Sequence, residues 1–204
     1  MIGENKKKIL SNMKEMSYDE YYNFLQKRTL KSTIYRKYWL YPRLCKFLTG
    51  KVLDVGSGVG DFVKFRPDTV GVDINPDNVQ WCQSQDIDIR LMSVNVLPFK
   101  DKEFDSINMD NVLEHIKDPE LILSEMDRVL KDNGILLVGV PGTLGFETAP
   151  DHHTFYSKED LIKTFVNRGY KVQSVFAMPI EYDWLDSHME QYCYYGVFKK
   201  VSIL

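Results

Sequence analysis

The stretch "KVLDVGSGVGDF", residues 51–62, places three glycines within five positions directly behind a short apolar run. Val52, Leu53 and Val55 read as a buried strand interrupted only by Asp54, and Gly56, Gly58 and Gly60 then follow in the spacing G-x-G-x-G. A dinucleotide fingerprint, G-x-G-x-x-G, would put its third glycine one residue later, and a Walker loop would end on a lysine that is missing here. A glycine turn at the end of a first strand lets ligand atoms reach backbone that side chains would otherwise cover. In open α/β sheets, that is where ligands sit. Asp54 beside the turn repels a pyrophosphate and suits a ligand that carries an amino group or a positive charge. Asp73, nineteen residues further on, ends a second apolar run and is placed to accept hydrogen bonds from ribose hydroxyls.

Outward from this turn, strand and helix signals alternate. "TVGVDI" predicts a second strand and "PDNVQWCQSQ" a helix opening on Pro76, a residue suited to a first turn. "IDIRLMSV" and "EFDSINM" predict strands three and four. The helix "DPELILSEMDRVLKD" is expected to bury Ile122, Met126, Val129 and Leu130 and to stop at Asn133-Gly134. "GILLVGVP" is a continuous apolar run, the mark of a central parallel strand covered on both faces. Such βαβ alternation predicts a doubly wound α/β domain. The tail breaks the rhythm. A helix capped by Ser157, with Asp160 at its third position, ends at Gly169, and two strands follow with only a loop between them, which favours antiparallel pairing.

The first fifty residues differ in character, being rich in Tyr, Lys and Arg. Ile34, Tyr38, Leu40, Tyr41, Leu44 and Phe47 recur at mostly helical spacing, predicting an amphipathic helix that ends near Thr49-Gly50. The expected division is therefore a helical cap over 1–50 and an α/β domain over 51–204. The cap reads either as helices packed with snorkelling basic side chains or as a lid over a ligand site.

Composition narrows the classes. The 204 residues are 44% hydrophobic and 27% charged with a net charge of -3, the balance of an ordinary globular protein. That charge disfavours nucleic acid as a partner. Cys45, Cys82 and Cys193 are odd in number and lack metal-ligand spacing, which argues for a reducing compartment. The start "MIGENKKKIL" has no apolar run behind its lysines, and no stretch approaches a membrane span of about 20 apolar residues. A cytoplasmic protein is expected, with no membrane partner and with oligomeric state left open.

From about Lys51 to Tyr170 the sequence resembles the class I S-adenosylmethionine-dependent methyltransferases of the small-molecule type. "VLDVGSGVGDF" and "VGVDINPDNV" resemble the family's first two motifs, "LPFKDKEFDSI" the approach to strand four, and "NVLEHIKDPELILSEMDRVLKDNGILLVGVP" the block from strand four to strand five. The resemblance implies a Rossmann-like seven-stranded sheet with an antiparallel last strand, and S-adenosyl-L-methionine as cofactor. It also implies that Gly56, Ser57, Gly58 and Gly60 wrap the methionine and ribose parts, with Asp54 at the methionine end. Asp73 would hold the ribose hydroxyls and Ile74 pack on adenine, while Asp110 and Asn111 lie near the amino group and the reactive methyl. One place departs from the pattern. "MSVNVLPF" lacks the acid usual after strand three, so Ser93 or, favoured, Asn95, with Val96 beside it, is expected at the adenine amino group in its place.

Methyl transfer from a sulfonium is an in-line displacement in which holding the reactants in line supplies roughly 7–11 kcal/mol. A base is needed only where the acceptor must lose a proton. His115, His152 and His153 are the candidate bases. Each also has a plainer reading, as a half-buried or loop histidine bonded to nearby backbone or to Asp151. No metal is expected, because His152-His153 beside Asp151 lacks further ligands at sensible spacing. Tyr18, Tyr21, Tyr22, Phe146 and Tyr156, with Phe155 and Trp184, are candidates for the wall of the acceptor pocket. The histidines favour a hydroxyl acceptor on a small polar metabolite such as a sugar. "NMDN" in place of "NPPY" after strand four disfavours base or glutamine nitrogens. Two other readings stay open: a protein that uses the cofactor site for sensing or partner binding, and a nicotinamide-dependent oxidoreductase.

Overall fold

The structure, a computed structural model, describes residues 29–201. Helix α1 (Leu30–Tyr35) runs through a π-helical turn (Arg36–Leu40) into α2 (Tyr41–Cys45). The strands are β1 (Val52–Val55), β2 (Thr69–Asp73), β3 (Ile89–Leu91), β4 (Phe104–Asp110), β5 (Leu130–Pro141), β6 (Tyr170–Met178) and β7 (Cys193–Lys200). Between them lie α3 (Asp61–Phe65), α4 (Pro76–Ser84), α5 (Glu120–Val129), α6 (Thr143–Thr148) and α7 (Lys158–Asn167). The strands form one sheet in the order β3-β2-β1-β4-β5-β7-β6, parallel except for β7, which inserts antiparallel between β5 and β6. This is the expected Rossmann-like, doubly wound seven-stranded sheet with its last strand reversed.

Period-two alternation along β5 explains the two-layered core. Leu136, Val138 and Val140 face a cluster with Ile122, Met126, Val129, Leu161 and Phe165 of α5 and α7. Ile135 and Leu137 face the opposite cluster with Leu40, Tyr41, Leu44 and Leu48. Residues 40–48 thus share the core of the α/β sheet. Among the described residues no helix is long and apolar enough to cross a membrane.

Two helix ends differ from the sequence reading. The N-terminal helix stops at Cys45, not near Gly50, and Ile34 and Tyr38 of the expected apolar stripe are exposed. In the π turn the Tyr41 N–H reaches the Arg36 carbonyl, a wider step that rotates the stripe, so Leu40, Tyr41 and Leu44 face inward in place of the earlier pair. Helix α5 stops at Val129, and Leu130 already pairs with Phe104 as the first residue of β5. Its last carbonyls find partners elsewhere: Lys200 Nζ donates to Asp127 O and Leu130 O at 2.6 and 2.9 Å, and the Lys102 N–H to Arg128 O. Asn133 and Gly134 belong to an irregular stretch of β5, with Asn133 left-handed, rather than to a helix stop. At α7, Ser157 and Asp160 form a complete capping box.

Candidate functional site

The site lies at the carboxyl ends of β1, β2 and β4, where the sheet order turns from β1 toward β4. Gly56, Gly58 and Gly60 all adopt left-handed φ, between 54° and 74°. A Cβ on Gly56 would run into Val112, and one on Gly60 would sit 3.0 Å from Ile87 and Ile89. The turn is therefore closed on its inner side by apolar side chains. Ser57 does not face a ligand freely. Its hydroxyl donates to Asp54 O at 2.8 Å and ties the two strand ends together.

Asp73, 5% exposed, braces this turn: Oδ2 accepts from Gly58 N–H at 2.7 Å and Oδ1 from Asn75 N–H at 2.8 Å, with the Asn78 amide at 3.3 Å. Burial raises its carboxyl, and the backbone donors oppose that rise. Ile74 follows it with 45% of its surface exposed, an apolar platform beside an acid at the strand end. Asn95 sits left-handed in a turn closed by the Ser93–Val96 bridge, with Val96 exposed beside it. Asp54, also 5% exposed, accepts from Asn108 Nδ2 at 2.7 Å. Desolvation pushes its carboxyl up to about 7 against the pull of that hydrogen bond.

Asp110 and Asn111 end β4. Asp110 Oδ1 accepts from Tyr195 OH and from Asn111 Nδ2, both at 2.8 Å, and Oδ2 lies 3.8 Å from Arg36 Nη1. Arg36 and Tyr195 were not singled out from the sequence. Arg36 is one of many basic residues near the amino end, and only the fold brings it over β4.

On the same rim, the 3₁₀ turn Leu113–His115 and the loop before α7 bring Glu114, His115, Asp151 and His152 together. His115 Nδ1 lies 3.2 Å from Asp151 Oδ2, and His152 Nδ1 lies 3.2 Å from Phe146 O. The two imidazoles meet edge to face at 4.7 Å. Burial lowers His115, but the Asp151 carboxylate outweighs it and the net displacement is upward. His152 is lowered by burial and by its neighbour His115. Glu114 is 1% exposed, and neither carboxylate oxygen has a hydrogen-bond partner. Burial pushes it up to about 7.

His153 stands apart. Its backbone N–H donates to Glu114 O, but the residue is exposed, so the structure joins only His115 and His152 of the three candidate histidines. Phe146 stacks on His152 at 5.4 Å and meets Phe155 edge to face at 5.3 Å. Tyr156 is buried in the central hydrophobic cluster, where burial and then the Glu114 carboxyl push its hydroxyl up. Trp184 stacks on His188 at 3.9 Å. Tyr18, Tyr21 and Tyr22 lie outside the described residues. Glu114 was missed because a lone Glu in a helical stretch reads as a solvated charge. Its complete burial appears only in the fold.

The sheet order, the left-handed glycine turn and the two buried acids define a doubly wound α/β domain built for a nucleoside cofactor without a pyrophosphate. Comparison with known proteins gives the particular kind. The family model described as "Methyltransferase domain" matches residues 53–138. A Mycolicibacterium smegmatis protein named as a probable S-adenosylmethionine-dependent methyltransferase is 26% identical over 170 residues, 74% of this chain and 66% of that protein. The ubiquinone/menaquinone biosynthesis C-methyltransferase UbiE of Hahella chejuensis is 29% identical over 158 residues, 70% of this chain and 57% of that protein. The crystal structure of an S-adenosylmethionine-dependent methyltransferase from Archaeoglobus fulgidus shares the fold, with a TM-score of 0.63 at 19% identity over 84% of this chain and all of that one. Over residues 53–138 the chain matches a methyltransferase domain, and its fold is that of solved S-adenosylmethionine-dependent methyltransferases. It spans between 44% and 66% of the length of the first curated relatives it matches.

Proposed function

We propose that the chain transfers the methyl group of S-adenosylmethionine to an oxygen, or a nitrogen, of a small polar metabolite such as a sugar derivative, leaving S-adenosylhomocysteine. One observation carries the reading: the left-handed turn of Gly56, Gly58 and Gly60 lies between the buried acids Asp54 and Asp73, on the same rim as a histidine cluster. Bound there, the cofactor supplies an activated methyl on a sulfonium. Asp54 offers its negative charge to the methionine end, Asp73 one remaining acceptor position to the ribose, and Ile74 an apolar face to adenine. Asn95 takes the adenine amino side, and Asp110 and Asn111 border the methyl. His115, oriented by Asp151, and His152 are placed to take the proton of a hydroxyl acceptor. The described part of the helical segment before residue 51 packs against the domain over 51–204 through Leu40, Tyr41, Leu44 and Leu48, and a cytoplasmic location fits the reading.

Calorimetric titration with S-adenosylhomocysteine is the first test, followed by a panel of hydroxylated and amino metabolites read by S-adenosylhomocysteine release. Micromolar binding and release with a hydroxylated acceptor are expected. Failure of the folded chain to bind S-adenosylhomocysteine refutes the reading. Release only with carbon acceptors would turn it toward the chemistry named for UbiE.

A further inference from the structure

Around Glu114 the described side chains present hydrogen-bond acceptors, and none of them donates to its carboxyl oxygens. Each imidazole uses Nδ1 outward: His115 Nδ1 reaches Asp151 Oδ2 at 3.2 Å and its carbonyl at 3.3 Å, and His152 Nδ1 reaches Phe146 O at 3.2 Å. Carbonyls and carboxylates only accept, so in the neutral imidazoles both Nδ1 atoms carry the proton and both Nε2 atoms offer a lone pair. These lone pairs converge on Glu114 Oε1, from 4.0 Å for His115 and 3.9 Å for His152, too far for hydrogen bonds. All three donor atoms lie within 4.8 Å of one another. A carboxyl that is 1% exposed and unpartnered on both oxygens, facing two imidazole Nε2 atoms, is an arrangement that a bound cation would complete.

We propose that Glu114 Oε1, His115 Nε2 and His152 Nε2 hold one divalent transition-metal ion of the zinc class beside the methyl-transfer site. The donors are two imidazoles and a carboxylate, the set that suits zinc and its neighbours and leaves coordination positions open. In a tetrahedral zinc site, donors with bonds of about 2.0–2.1 Å stand roughly 3.3 Å apart, so small side-chain movements close the present spacing. The outward Nδ1 bonds to Asp151 and Phe146 are the outer shell that fixes tautomer and ring direction in metal sites. The ion's role rests on the methyltransferase reading above, narrows its acceptor to an oxygen, and replaces His115 and His152 as the means of deprotonation, since their Nε2 lone pairs are then bonded to the metal. Such an ion would lower the pKa of an acceptor hydroxyl held at an open position, so that its proton would pass to water at neutral pH. The oxygen electron pair then forms the new O–CH3 bond while the S–CH3 pair passes to sulfur, yielding a methyl ether and S-adenosylhomocysteine.

The test uses the full chain after chelator treatment and dialysis. Zn2+ is titrated by calorimetry and Co2+ by its visible absorption, with Mg2+ as the hard-ion control, and S-adenosylhomocysteine is titrated separately. One equivalent of Zn2+ or Co2+ should bind, without a thiolate charge-transfer band. Glu114→Gln and His152→Asn should each weaken it by at least about tenfold while S-adenosylhomocysteine affinity stays unchanged. Should Glu114→Gln fail to fold, as judged by circular dichroism, His152→Asn gives the same readout and keeps an amide donor for Phe146 O. A native chain that binds S-adenosylhomocysteine but no Zn2+ or Co2+ overturns the proposal, as do variants that bind metal as tightly as the native chain. Metal uptake lost in the variants, with no S-adenosylhomocysteine binding by the native chain, upholds the metal site and removes the methyltransferase reading.

Discussion

Replacing Asp54 by Asn should make the free protein more stable while weakening its hold on the cofactor. Asp54 is 5% exposed, and its carboxyl is pushed from 3.8 to about 7 by burial, with the nearby Asp110 and Asp73 adding to the rise. At ~1.4 kcal/mol per pKa unit, ionising it in the folded state costs up to about 4 kcal/mol. The sign follows from linkage. Between pH 4 and 7 the folded chain binds more protons at this site than the unfolded one, so the penalty is absent below that window and complete above it. An Asn there keeps the acceptor for Asn108 Nδ2 and brings an amide donor near Asn108 Oδ1, which lacks a partner. Allowing half of the penalty for relaxation, the gain at pH 8 is roughly 2 kcal/mol, or about 4–8 °C in Tm for a chain of this size. The gain should shrink below pH 5. Differential scanning calorimetry of both chains at pH 5 and pH 8, with S-adenosylhomocysteine titrated in parallel, reads both effects. A Tm that falls at pH 8 would show that the carboxylate is compensated in the fold, and unchanged affinity would remove Asp54 from the cofactor site.

Asp73→Ala removes the acceptor for the Gly58 and Asn75 N–H groups, so S-adenosylhomocysteine affinity should drop by the ~1–3 kcal/mol typical of a charged acceptor, measured by calorimetry. Equal affinity would separate the turn from the ligand. Gly56→Ala meets both a φ of 73° and the Val112 side chain, and should lower stability by roughly 2 kcal/mol. Val112→Ala in the same chain should return only the part due to contact, and full recovery in chemical denaturation would refute the backbone argument. Asp127→Ala should cost about 1–3 kcal/mol, because Oδ2 accepts from Arg168 and Oδ1 from Tyr170, both at 2.6 Å, fastening α7 and β6 to α5. An unchanged Tm would mean that the tail is held by its core contacts alone.

The half of the site that takes the cofactor was legible because its chemistry is local in sequence. Strand, glycine turn and acid lie within ten residues, and the turn needs left-handed backbone wherever those glycines stand. Buried parallel strands such as β5 announce themselves as apolar runs for the same reason. The misplaced helix ends have non-local causes. Leu130 leaves α5 because Phe104 on β4 offers it a strand partner, and Lys200 from β7 takes up the carbonyls the helix abandons. Neither partner is visible in the local pattern.

The cluster around Glu114 was illegible on the same grounds. Glu114 and His152 stand thirty-eight residues apart, on a 3₁₀ turn and a loop that carry no common motif. Counting ligands by spacing found His152-His153 and stopped for want of a third donor. The fold discards His153 to solvent and supplies Glu114 from across the rim. The backbone itself couples the two segments, since the N–H groups of His153 and Thr154 both donate to Glu114 O at 2.8 and 3.1 Å. That pair of bonds sets where the loop lies before any side chain is considered, and brings His152 against Glu114 as a consequence. A substitution in the loop that preserved these two bonds would keep the cluster's spacing, whereas a proline at residue 153 would remove one of them. The cluster's spacing therefore hangs on main-chain contacts between distant segments, which is why the glycine turn could be read from local sequence and the cluster could not.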